Sequence, residues 1–135
     1  MSYHAPVLES FFFLEHCTSL KRLAASGAVA DLSPDLVKSV LEEAGKFADG
    51  VLAPLNRVGD IEGTRFENGV VRMPKGWKEA YRAWAEAGWN GLGAPVEYGG
   101  QSLPTLVNMA CFEFWSAACM AWGLGPHSRI RNRPC

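Results

Sequence analysis

Little in these 135 residues looks like equipment for catalysis. GxSxG, GxxxxGK[ST] and HExxH are all missing, and no GxGxxG opens a helix. Serine hydrolases of the nucleophile-elbow type, P-loop NTPases, zinc proteases and Rossmann dinucleotide sites are therefore without their local signatures. Gly91-Leu92-Gly93 begins like the last of these, but no strand precedes it. The cysteines, Cys17, Cys111, Cys119 and Cys135, form no CxxC pair, and His4, His16 and His127 lie far apart, which argues against a zinc site. His16 and Cys17 are neighbours rather than a dyad, because adjacent helical side chains point in different directions. Charge is sparse, at 20% with a formal net of −1, so nothing draws the chain generally to nucleic acid or anionic lipid. MSYHAPVLESFFF does not read as a signal peptide. It lacks a basic start, and Glu9 and Glu15 bracket its short apolar run.

What is present is apolar and periodic. At 48% hydrophobic, the chain has the composition of one globular domain. Phe13, Cys17, Leu20 and Ala24 predict a helical stripe over 10–26, with Gly27 as its stop. Ser33, Pro34 and Asp35 form a strong helix start. Behind it, Leu36, Val37, Val40, Leu41, Ala44, Phe47, Ala48 and Val51 make one apolar face, and Pro54 is expected to end that helix. Asn68-Gly69 suits a type I′ turn between Phe66 and Val70-Val71, so a hairpin is expected near 64–73, packed on something because an isolated hairpin is only marginally stable. Trp77, Tyr81 and Trp84 share a face of a helix over 75–87, read as core rather than a cofactor box, with Gly88 just past its end. Pro104 opens a last helix to about Met120 or Trp122. It is apolar on all sides and is expected to be buried on all sides. The segment 103–124 is long enough to span a bilayer, but Asn108, Glu113 and Ser116 favour a buried core helix. The fold class is all-α, about four helices plus one small hairpin.

Few residues stand out chemically. Glu42, Glu43, Glu79 and Glu86 read as solvated helix faces. Glu113 sits in an apolar helix, and two readings stay open: a partner for an N–H or an arginine at a helix contact, or a group beside a substrate pocket. Cys17, Cys111 and Cys119 read as small buried hydrophobes, in keeping with a reducing cytoplasmic setting. GWNGLGAPVEYGGQSLP, residues 88–104, packs five glycines and two prolines between aromatics and is expected to be a fixed corner, its aromatics pinned to the flanking helices. The last nine residues, HSRIRNRPC, carry three arginines and no acid, unlike the rest.

The corner also carries a resemblance. Gly91-Leu92, Pro95, Glu97, Tyr98, Gly99-Gly100 and Pro104 resemble the loop between two helices in the N-terminal helical domain of FAD-dependent acyl-CoA dehydrogenases. SYHAPVLESFFFLEH, Leu52-Ala53-Pro54-Leu55-Asn56, Gly59-Asp60 and NGVV-x-x-P-x-GW are similar to the branch that includes methylthiopropanoyl-CoA dehydrogenases. The resemblance covers roughly residues 2–126 and implies a helical domain over 1–126 with an extension over 1–30. It further implies that 127–135 is an anomalous basic tail, of the kind a shifted reading frame produces. The family reaction takes a proton from the α carbon of an acyl-CoA thioester with a glutamate base and passes a β hydride to FAD. That glutamate and the flavin belong to later domains, so the resemblance implies an inactive N-terminal piece with no catalytic residue and no FAD bound by this chain alone. Its partners would be the acyl-CoA and the remaining domains, with no nucleic acid, no membrane span, and an oligomer formed largely through other domains. By position, Met120, Ala121, Trp122 and Gly123 would contribute to the acyl-chain wall. A stand-alone helical interaction module that keeps the fold without catalysis is the competing reading.

Overall fold

The computed structural model describes residues 3–27, 29 and 32–131, with side chains through Pro126. Cys135, Arg133 and the rest of 132–135 lie outside the described residues, as does Ser2. The N-terminal helix expected over 10–26 is two helices, α1 (Val7–Cys17) and α2 (Leu20–Ala25). Thr18 makes the break. Its backbone is extended, and its hydroxyl donates to the Leu14 carbonyl while accepting from the Leu20 N–H. A short hydroxyl side chain thus replaces the helical ladder at this joint. The predicted stripe holds at Leu20 in α2 but not in α1. Leu14 and Leu20 are buried, whereas Phe13 and Cys17 are exposed.

Helix α3 (Pro34–Phe47) starts as read, with the Ser33 hydroxyl accepting from the Leu36 N–H at 3.1 Å. Val37, Leu41 and Ala44 are buried on its inner face, and Leu36 is largely exposed at its start. Pro54 does not end the helix. A π-helical turn over Ala48–Leu52 intervenes, and α4 (Ala53–Glu62) continues with Pro54 in its first turn. The Ala53 N–H reaches five residues back to the Ala48 carbonyl. The wider turn accommodates a ring that has no N–H to donate and would crowd a regular preceding turn.

Strands β1 (Arg65–Glu67) and β2 (Val70–Arg72) pair antiparallel, Phe66 opposite Val71. Asn68 and Gly69 have φ of 51° and 78°, the two left-handed residues a type I′ turn requires. The hairpin is not packed as expected: all of its strand residues are exposed, with Phe66 at 74%. Helix α5 (Trp77–Glu86) follows, then the 88–104 corner, α6 (Thr105–Ala118) and α7 (Met120–Arg131). The last helix of the sequence reading is therefore split at Cys119, whose backbone leaves the helical region. Among the described residues no helix is long and apolar enough to cross a membrane.

Tryptophans join the helices. Trp115 on α6 donates its indole N–H to the Ala44 carbonyl of α3 at 3.3 Å, and Trp122 on α7 donates to the Trp77 carbonyl of α5 at 3.4 Å. Trp84 meets Trp115 and Trp122 edge-on, with centroids 5.6 and 6.2 Å apart. Edge-to-face contacts at such spacings add to the area these rings bury. Gly59 leaves the room that Trp77 fills: a Cβ there would collide with the indole ring.

Candidate substrate-facing surface

The corner between α5 and α6 fixes how α6 leaves the core. Its backbone closes on itself: the Gln101 N–H donates to the Gly91 carbonyl, the Ser102 N–H to Ala94, and the Leu103 N–H to Leu92, at 2.8–3.0 Å. Gly100 passes so close to the Ala94 carbonyl that a Cβ would collide with it. Trp89 anchors the corner by an edge contact with Trp115, centroids 5.3 Å apart. Tyr98 does not; it is 79% exposed, contrary to the expectation that both aromatics pin the loop. The corner is held by its own hydrogen bonds and by Trp89.

Helix α6, apolar all round, is not buried all round. Val107, Cys111, Phe114, Trp115 and Ala118 are buried, whereas Thr105, Met109, Glu113 and Ala117, four residues apart, share an exposed face. Beyond the Cys119 break, Met120, Ala121 and Leu124 are exposed as well. The result is an open face of small and apolar side chains with one carboxylate in it.

The four candidate residues divide. Met120 and Ala121 lie on the open side. Trp122 and Gly123 are buried, the indole against Phe47 and Trp84 and the glycine close against Ser116. Glu113 is exposed, and among the described residues it meets neither an N–H nor an arginine. Its charge instead bears on Tyr3 of the N-terminal segment. Burial, then Asp49 and Glu113, push the Tyr3 phenol above its ordinary range. The sequence marked Tyr3 only as part of the SYHAPVLESFFFLEH resemblance and gave no sign of its setting, which depends on residues far apart in the chain.

Burial pushes the Cys111 thiol up to about 12 and raises that of Cys119, as fits small hydrophobes in the core. Cys17, read the same way, is exposed. Glu42, Glu43, Glu79 and Glu86 are exposed, as their reading requires. A shallow hollow lined by Ser19, Arg22, Leu23 and Ser26 lies on the α2 side and includes none of residues 120–123. Among the described residues no polar or charged side chain is buried.

Residues 35–133 match the sequence pattern described as "Acyl-CoA dehydrogenase, N-terminal domain". The chain belongs to the acyl-CoA dehydrogenase family. It is 39% identical over 126 residues, 93% of its length, to 3-methylmercaptopropionyl-CoA dehydrogenase of Ruegeria pomeroyi. It is 26% identical over 113 residues, 82% of its length, to the broad-specificity linear acyl-CoA dehydrogenase FadE5 of Mycobacterium tuberculosis. The chain spans only 21% and 18% of these two relatives. Its helices and small hairpin are those of the family's N-terminal helical domain. Helices α1 and α2 precede the matched region, and α7 lies within it.

Proposed function

We propose that this chain supplies the N-terminal helical domain of an FAD-dependent acyl-CoA dehydrogenase and performs no chemistry alone. The observation that carries this reading is the open face of α6 and α7 on an otherwise well-packed family domain. Uncovered apolar surface of this kind marks a place where something docks. In the whole enzyme a carboxylate from another domain would take the α proton of the thioester, and bound FAD would supply the redox chemistry. This chain's part is to bind and exclude water. Met120 and Ala121 face the acyl chain, while Trp122 and Gly123, packed behind them, hold the start of α7 in place. The free buried thiols Cys111 and Cys119 suit a reducing, cytoplasmic setting.

Reconstitution tests the reading. The Ruegeria relative would be produced without the region matching this chain, loaded with FAD, and mixed with the 135-residue protein. Acyl-CoA-dependent dye reduction is expected only in the mixture, and Met120→Glu should raise KM for the acyl-CoA more than it lowers kcat. Turnover by the isolated chain with added FAD would overturn the proposal, as would a mixture that neither associates nor turns over. A stand-alone interaction module would instead dock a partner on its apolar last helix, and deleting 127–135 would weaken that binding.

A further inference from the structure

The N-terminal segment lies across the α3 helix and its π turn in an unusual way. The Asp49 carboxylate, on the π turn, is its anchor. One oxygen accepts the Ala5 backbone N–H at 2.9 Å, and the other meets His4 Nδ1 at 3.2 Å. Beside it, Gly45 provides a flat floor: a Cβ there would lie 2.9 Å from a Val7 methyl and 3.2 Å from the Ala5 Cβ, and its only close neighbours are these two residues. Tyr3, next in line, has its hydroxyl buried without a hydrogen-bond partner among the described residues. Such a group favours leaving its site, because water would satisfy it.

Helix α1 packs on α3, with Val7 and Phe11 partly buried against the core, and few side chains of α1 and α2 are fully buried. Leu14 is the single buried residue of α1, and Leu20 that of α2. The outer side of α1 carries exposed Leu8, Phe12 and Phe13. Both helices lie ahead of residue 35, where the family match begins, and the tryptophan contacts that join α3, α5, α6 and α7 include no residue of either. We propose that residues 3–7 are a strap latched by the Asp49 carboxylate, and that release of this latch frees α1 and α2 as one unit while the tryptophan core stays packed.

The device follows from the local geometry. The π turn that accommodates Pro54 also carries Asp49, and turns of this kind recur at functional positions. A latch built on one carboxylate and one missing Cβ can be opened by a change at either, without touching the core. Opening uncovers the Gly45 floor and the Tyr3 niche between the π turn and α6.

Hydrogen exchange read by mass spectrometry on the full 135-residue chain tests this. In Asp49→Ala, which leaves no acceptor for the Ala5 N–H, amides of 5–25 should exchange at least tenfold faster than in the parent, while those of α3 and α6 keep their rates. Gly45→Ala gives an independent reading with an opposite pair of signs. The added methyl wedges the strap and speeds exchange over 5–17, while alanine's better helix propensity leaves α3 equally or more protected. Tyr3→Phe should slow strap opening by removing the unsatisfied hydroxyl. Unchanged protection of 5–25 in Asp49→Ala and of 5–17 in Gly45→Ala overturns the proposal. So does acceleration spread evenly over the chain in either one, because the strap would then be part of the core.

Discussion

Two apolar, aromatic regions of this molecule have opposite fates. The tryptophans of α5, α6 and α7 are buried; Trp77, Trp115 and Trp122 donate to backbone carbonyls of other helices, whereas the Trp84 indole N–H has no partner among the described residues. The hairpin's Phe66, Val70 and Val71 and the α1 side chains Leu8, Phe12 and Phe13 stand exposed. Hydrophobicity alone does not separate them. What separates them is an element on the other side. Trp115 faces α3, and room for Trp77 is left by a glycine in α4, whereas the exposed side chains of the hairpin and of the outer side of α1 are covered by no element among the described residues. The same contrast runs along a single helix in α6, closed toward α3 and open along Met109 and Ala117.

The sharpest way to break the comparison is to truncate one member of each region. Trp115→Ala should cost about 3–5 kcal/mol, read from the urea midpoint, because it removes a buried ring that three other aromatic rings meet edge-on. Phe13→Ala should stay within about 0.5 kcal/mol. Equal costs would mean that the exposed aromatics are covered in solution. Alkaline pH probes the same burial through Cys111. Its folded thiol is raised to about 12, so its contribution is fully present below the ordinary value of 9.0 and is lost as pH rises toward 12. In that window its own share of the fall is about 1.4 kcal/mol per pH unit, and Cys111→Ala should flatten the stability–pH curve there. A parallel slope in the two proteins would show the thiol is not held in the core. Gly100→Ala strikes the corner instead, where backbone meets backbone, and should cost about 1–3 kcal/mol. Ser33→Ala removes the α3 cap and should cost about 1 kcal/mol.

These elements were legible to different degrees, and the reasons are physical. The Ser33 cap, the Asn68-Gly69 turn and the α5 stripe depend on residues close in sequence, so their spacing suffices to predict them. The Gly-rich corner was legible as a fixed turn, but the fate of Tyr98 was not, because only the path of the neighbouring helices decides whether a ring is covered. Thr18 and Pro54 were misjudged in opposite directions. A hydroxyl that bonds both sides broke a helix that periodicity carried through, and a π turn carried a helix past a proline expected to stop it. At the candidate site, the resemblance put Met120 through Gly123 in one group, but the break at Cys119 and the demands of the tryptophan core sent Met120 and Ala121 outward and Trp122 and Gly123 inward. The Tyr3–Asp49–Glu113 neighbourhood had no sequence signal, since it joins three segments distant in the chain.

The smallest effect on stability comes with the most informative side effect. Phe66→Ser on β1 leaves the register Arg65 to Arg72 and the turn untouched, and its side chain is already in water. Its unfolding free energy should move by less than about 0.5 kcal/mol. The exposed cross-strand pair Phe66 and Val71 nevertheless puts apolar surface on one face of a strand pair whose outer edges pair with no other strand among the described residues. Such edges template association. Light scattering at rising protein concentration should therefore show less self-association in Phe66→Ser than in the parent, at equal stability. A variant that associates as strongly would shift attention to the open side of α6 and α7, where Met109→Ser and Leu124→Ser make the matching pair. Whichever face proves adhesive is the one left uncovered when this domain stands alone, because a surface with an unchanged folding free energy but a changed tendency to associate contributes to contacts between molecules rather than to the fold.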